Sequence, residues 1–216
     1  MIALALGVHL FSIGELLPVF VPLGLVVSAA LALRGRAHID WRLLLARILP
    51  WMGLGLGVGL IIFERAPQEV LRRLFGAFVV ALAALELWRL SRPEAGARPL
   101  APAARVTALL GAGVIHGIFS TGGPLLVWTL GRSALAKGNF RATLSCVWLV
   151  LGSALTVAYA LGGRLDRGTA LATGALLPVL AGALLVGEWA HQRLDERRFR
   201  VLVYTLLLAA GASSVF

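Results

Sequence analysis

The chain has little of what a water-soluble protein of its length needs. Only 14% of its 216 residues are charged, 59% are hydrophobic, and the mean hydropathy is +0.90. A soluble domain of that size could not hide so much apolar surface, so the composition points to one membrane domain. Acidic residues number 10 against 20 basic ones. The formal charge of +10 would suit nucleic acid, but the arginines fall in short breaks between apolar runs. There they anchor helix ends and meet lipid headgroups, so membrane lipids are the expected partners and nucleic acid is not. The single cysteine, Cys146, lies inside an apolar run; it can form no internal disulfide and reads as a small buried side chain. Strict alternation of polarity is missing, which argues against a lone β-barrel. The first residues carry neither a basic stretch nor a small-residue cleavage site, so no cleavable signal is read there. Metal-ligand spacings, nucleotide-binding loops and heptads are also missing, and no metal or cofactor is expected.

What is present is one apolar stretch after another, at about 12–33, 41–63, 70–90, 106–131, 143–162, 169–190 and 199–216. Each is near the length that carries a helix across the hydrocarbon core. The expected fold is therefore an all-α, multi-pass membrane protein of seven transmembrane helices. Shifting the chain against itself by 128 residues superposes Gly24 on Gly152, Gly35 on Gly163, Arg36 on Arg164, Pro50 on Pro178 and Gly59 on Gly187. Arg65 then meets Arg193 and Arg72 meets Arg200. Leucine matches are cheap in such a sequence; glycine, proline and arginine matches in one register are not. The expected organisation is a first helical repeat over 1–90, a Pro/Ala/Arg linker over 91–104 and a second repeat over 105–216.

The register leaves the stretch at 106–131 without a counterpart, because Met1 falls on Thr129. The first repeat then reads as N-terminally incomplete, or the chain starts downstream of its true beginning. Alternatively, Met1–Leu17, interrupted by Gly14 and Glu15 ahead of Pro18, adds a short eighth helix. Counted over seven simple crossings, the Arg and Lys residues divide almost evenly between the two sides, and orientation stays open.

The most specific local pattern is Gly111-Ala-Gly-Val-Ile-His-Gly-Ile-Phe-Ser-Thr-Gly-Gly-Pro124. Glycines loosen the backbone and proline cannot donate to the preceding turn, yet proline is favoured in the first turn of a new helix. The pattern predicts a helix broken at mid-membrane near 120–124. Such a break presents free backbone N–H groups and a positive helix end in low dielectric, which suits an anion. The candidate binding residues are Ser120, Thr121, Gly122, Gly123 and Pro124, with Arg141 and Thr143 at the start of the next span. A proline kink with glycines for close packing is the plain alternative. His116, one turn before the break, and Glu15, within an apolar run, are candidates for proton coupling. A packed neutral histidine and a helix-end carboxylate are the plain alternatives. Gly53, Gly55, Gly57 and Gly59 give one helix two smooth faces for packing, and the tryptophans, Trp148 among them, read as interfacial belt residues.

Three of these segments carry a resemblance: the Ser-Thr-Gly-Gly-Pro-Leu-Leu break, Asn139-Phe-Arg-Ala-Thr-Leu144, and Gly162-Gly-Arg-Leu-Asp166 after the next span. Together with Arg34-Gly-Arg-Ala-His-Ile-Asp-Trp41, they resemble the TauE/SafE sulfite exporter family over about 12–216. The resemblance implies two repeats of four helices and movement of sulfite, sulfonates or related organosulfur anions. It also implies a multi-pass protein of a bacterial-type cytoplasmic (inner) membrane. This sequence departs from the family in lacking the glycine-rich broken helix of repeat one.

The expected function is a proton-coupled secondary transporter that exports such an anion, with self-association into a homo-oligomer left open. A non-transporting accessory subunit is the second reading. An intramembrane hydrolase built on Ser120 and His116 is the third, and it has neither a Gly-x-Ser-x-Gly elbow nor an obvious acid. No catalytic residue is assigned.

Overall fold

The computed structural model describes residues 2–90, 100–132, 136–193 and 196–215, and among these every regular element is a helix. The order is α1 (Ile2–Gly7), α2 (Ile13–Arg34), a 3₁₀ turn (Arg36–His38), α3 (Trp41–Leu43), a π-turn (Leu44–Ile48), α4 (Leu49–Arg65) and α5 (Gln68–Leu90). It continues with α6 (Pro102–Phe119), α7 (Gly123–Leu130), α8 (Lys137–Leu161), α9 (Arg167–Arg193) and α10 (Glu196–Val215). Five spans are long and apolar enough to cross a membrane: Ile13–Arg34, Trp41–Arg65, Pro102–Phe119, Gly138–Leu161 and Arg167–Val186. Helices α5 and α10, at 23 and 20 residues, have the length as well. The protein is an all-helical, multi-pass membrane protein.

Local chemistry explains several element boundaries. Ser12 and Glu15 form a capping box at the start of α2: the Ser12 N–H and hydroxyl donate to the Glu15 carboxylate at 2.9 and 2.8 Å, and the Glu15 N–H donates back to the hydroxyl at 3.3 Å. Asp40 caps α3 by accepting the Leu43 N–H at 2.9 Å, and Asp166 caps α9 by accepting the Thr169 N–H at 2.7 Å. Pro50 lacks an N–H and its ring crowds the carbonyl four residues back. The helix widens ahead of it into the π-turn, where the Leu49 N–H reaches the Leu44 carbonyl.

Three expectations need correcting here. The interruption near the N-terminus falls after Gly7, not at Gly14–Pro18, because the capping box starts α2 at Ile13 and carries the helix through Pro18. Most of the linker expected at 91–104 lies outside the described residues. Its last three residues belong to α6, with Pro102 in that helix's first turn. The stretch expected as one crossing at 106–131 is two helices, described below.

The chain packs as two compact units, each drawing on both halves of the sequence: Met1–Val19, Pro67–Ala95 and Asp166–Phe216 in one, Phe20–Ala66 and Gly96–Leu165 in the other. In the first, α5 packs on α10 with Gly211 against Val79 and Val80, and α1 also rests on α10. Gln68 at the start of α5 accepts the Gly14 N–H at 3.1 Å.

The second unit is centred on α4 and α6. Gly113 lies against Met52, Gly117 against Leu56, Gly59 and Leu60, and Gly55 against Leu110 and Val114. Higher numbers on one helix meet higher numbers on the other, so the two run parallel. A methyl group at Gly55, Gly59, Gly113 or Gly117 would run into backbone of the facing helix, so only glycine permits this approach. Gly53 and Gly57 face open space, so α4 has one smooth packing face where two were expected. Helix α8 starts beside the 3₁₀ turn, where Gly138 lies near His38 and Ala142 near Gly35. It ends where Tyr159 and Arg164 pack on Phe63, with Tyr159 5.8 Å and the guanidinium 5.0 Å from the ring centre. It too runs parallel to α4.

Candidate anion site at a helical hairpin

The predicted break lies where expected and has a sharper shape than expected. Helix α6 ends at Ser120, a non-glycine residue in the left-handed region (φ 54°, ψ 28°) whose N–H donates to the His116 carbonyl at 2.7 Å. Three residues later α7 starts, with Gly122 as its N-cap and Pro124 in its first turn. The chain reverses between them. Gly122 lies against the Ala112 carbonyl and the His116 side chain, and Leu125 lies over Gly111. A helix continuing straight would carry Leu125 about 20 Å from Gly111 at 1.5 Å per residue. Helix α7 therefore runs back along α6, and 102–130 is a hairpin rather than a kinked crossing. Gly122 is required at the turn, because any side chain there would meet the Ala112 carbonyl.

Along α4, the turn lies nearer one end than the middle. Gly117 is level with Leu56–Leu60 of α4, so the turn stands only about 8 Å short of that helix's end at Arg65, counting 1.5 Å per residue. From Pro102, α6 travels about 27 Å to reach it by the same measure.

Five polar residues are buried among the described residues: His116, Thr121, Thr129, Thr143 and Ser145. Three are satisfied. The Thr129 hydroxyl donates to the Leu125 carbonyl at 2.7 Å, the Ser145 hydroxyl donates to the Arg141 carbonyl at 2.9 Å, and the Thr143 hydroxyl accepts the Asp40 N–H at 2.9 Å. The other two flank the turn: both ring nitrogens of His116 and the Thr121 hydroxyl make no hydrogen bond. Elsewhere among the described residues only Tyr159 Oη, near Phe63, and Arg72 Nε share that condition. No side chain caps the start of α7. A buried, unsatisfied polar atom costs about 1–3 kcal/mol, so these three atoms and the uncapped helix start are where an added hydrogen-bonding partner would stabilise most. The positive helix end sets the preferred sign of that partner as negative.

Trp148 of α8 closes one side. Its ring centre is 5.0 Å from that of His116 at an interplanar angle of 34°, and a Cβ on Gly123 would stand 3.6 Å from its Cζ2. Trp148 was expected at an interface, because it lies near the predicted start of its span and no sequence signal ties it to the hairpin.

Arg141 and Thr143 are not beside the turn. They open α8 next to the 3₁₀ turn, where Thr143 pins Asp40 and the Arg141 side chain is exposed. Glu15 is engaged in its capping box. Neither His116 nitrogen bonds to Ser120, so the dyad a hydrolase would need is not formed.

The sequence profile of the sulfite exporter TauE/SafE family matches residues 1–214. The chain belongs to this family. A protein of Cupriavidus necator (strain ATCC 17699) described as "probable sulfite/organosulfonate exporter TauE" is 28% identical over 198 residues, covering 87% of this chain and 73% of that protein. No solved structure matches the chain. As a TauE/SafE protein, the chain sits in a family of membrane exporters, and the hairpin holds three of the five buried polar side chains among the described residues.

Proposed function

We propose that this TauE/SafE protein is a secondary transporter that exports a small oxyanion, sulfite or an organosulfonate, across a bacterial cytoplasmic membrane. The observation that carries the reading is the set of unsatisfied polar atoms on His116 and Thr121 beside the uncapped start of α7. A sulfite or sulfonate group offers three acceptor oxygens. They would be met by N–H groups at the start of α7, by the Ser120 and Thr121 hydroxyls, and by a His116 N–H. Gly122, Gly123 and Pro124 supply the backbone shape. Arg141 serves as a charge at the approach and Thr143 positions the neighbouring loop.

Alternating access in this reading follows the general scheme of repeat-built transporters. His116 is the favoured proton-coupling residue, since a protonated imidazole beside an anion would move with it. Glu15 is the weaker candidate because its carboxylate is already used as a cap. Glu15→Gln keeps that cap, since glutamine also serves in a capping box, while removing the titratable group.

The test is flux of sulfite and of short sulfonates in proteoliposomes, with and without a pH gradient. Saturable flux is expected. Thr121→Val is expected to lower it at least about tenfold, the loss of one charge-assisted hydrogen bond. Gly123→Ala fits the space beside Trp148 and should be tolerated, whereas Gly123→Leu should block. Wild-type flux in Gly123→Leu would sink the site. Gradient dependence that survives His116→Gln but not Glu15→Gln would move coupling to Glu15. No flux from folded wild-type protein would favour the accessory-subunit reading.

A further inference from the structure

Reading residues 102–132 as a hairpin changes which side of the membrane the following segments face. Helix α6 enters beside the start of α3, because α6 runs parallel to α4 and their matched residues place Pro102 level with Trp41. Helix α7 returns along α6 toward that same end. Helix α8 then starts at Lys137 beside His38, again at that end. Entry, exit and restart therefore share one face of the unit formed by 20–66 and 96–165.

Charge is distributed unevenly between the two ends of this unit. Arg34, Arg36, Arg42, Arg105, Arg132 and Arg141 stand at the hairpin's open end, where Lys137 also starts α8; the one acid there among the described residues, Asp40, is turned to its helix cap. The opposite end holds Arg65 and Arg164 with Glu64. A single crossing at 106–131 would put Arg132, Lys137 and Arg141 opposite Arg105 and level the count. The fold gathers them together. Segments rich in Arg and Lys stay on the cytoplasmic side of a membrane protein.

We infer that residues 102–132 are a re-entrant hairpin whose two ends both open on the cytoplasmic face, with its turn at Ser120–Gly122 toward the opposite one. The turn lies deep, close to the far face, and the packed group of Phe63, Tyr159 and Arg164 stands at that far end.

The test is labelling with a membrane-impermeant maleimide in the full chain. Cys146, buried in α8, is first replaced as Cys146→Ala. Arg36→Cys, Arg105→Cys, Lys137→Cys and Arg65→Cys are then made singly and compared in intact and permeabilised cells. Labelling of the first three is expected only after permeabilisation, with intact cells giving less than about a tenth of the signal, while Arg65→Cys labels in intact cells. Arg105→Cys and Lys137→Cys on opposite sides would show a single crossing and overturn the hairpin. All three of the first set labelling in intact cells would overturn the cytoplasmic assignment. Because Arg36 is exposed in a loop, its variant fixes the sidedness even if a helix-end variant does not accumulate. Transport plays no part in the readout, so a failure of the topology is told apart from a failure of the substrate assignment.

Discussion

At the scale of single residues, Ser120 carries a backbone cost for a local purpose. Left-handed backbone is unfavourable for a residue with a Cβ by about 1–2 kcal/mol, and glycine avoids that cost. Ser120→Gly is therefore expected to raise thermal stability in detergent by up to about 1 kcal/mol. If the hydroxyl meets the anion, the same variant should raise KM. A variant gaining stability with unchanged KM would remove Ser120 from the binding set. Asp166 illustrates a different residue-scale effect. Its carboxyl is held below the usual carboxylate range, chiefly by the Thr169 N–H and next by the Thr169 hydroxyl. A depressed folded pKa adds stability above the unfolded value near 4 and loses it as pH falls through the folded value. Asp166→Ala should lower the melting temperature at neutral pH, with the difference from wild type shrinking toward pH 2. A constant difference across that range would mean the cap contributes through something other than its charge.

At the scale of elements, the seam between α4 and α6 is where glycine spacing becomes geometry. The glycines at 55, 59, 113 and 117 each touch backbone of the facing helix, while Gly53 and Gly57 touch nothing. Gly113→Leu should separate the helices and destabilise the protein by several kcal/mol, at the upper end of overpacking effects. Gly57→Ala should be neutral or slightly stabilising, since alanine is the better helix former by about 1 kcal/mol. Equal outcomes for the two, measured by thermal unfolding, would contradict the seam. The sequence shows that these glycines pack something; their four-residue spacing on both helices does not say which stripe is inward. The same limit applies to Trp148, whose role against His116 comes from α8 lying beside the hairpin.

At the scale of the whole molecule, the proposed transport gives the basic end of the second unit a role as a field on an approaching anion rather than through one contact. Charges of one sign around an entrance raise the local concentration of the opposite ion and weaken in salt, with a Debye length of about 10 Å at 0.1 M. Neutralising the exposed Arg36 and Arg141 together should raise KM for the anion on that side several-fold at low ionic strength. The maximal rate should stay near wild type, and the KM difference should fade at high salt. A salt-independent loss of maximal rate would instead place one of these arginines in the translocation step.

The sequence by itself determined that the chain is helical and membrane-embedded, that it belongs with the TauE/SafE exporters, and that its helix breaks at Ser120–Gly122. The first and last rest on local chemistry, apolar length against bilayer thickness and glycine and proline against helix continuation, and the second on the resemblance of its motifs and the family profile. Only the tertiary structure decided that the chain turns back at the break. Gly122 permits a kink and a reversal equally, and the choice lies in the Ala112 carbonyl and Gly111, which the returning helix packs against. Tertiary packing likewise separated the satisfied buried hydroxyls of Thr129, Thr143 and Ser145 from the unsatisfied His116 ring nitrogens and Thr121 hydroxyl, and carried Arg141 and Thr143 away from the turn. Hydrogen-bond partners and depth in the membrane depend on which helices lie side by side, and no spacing within one span encodes that.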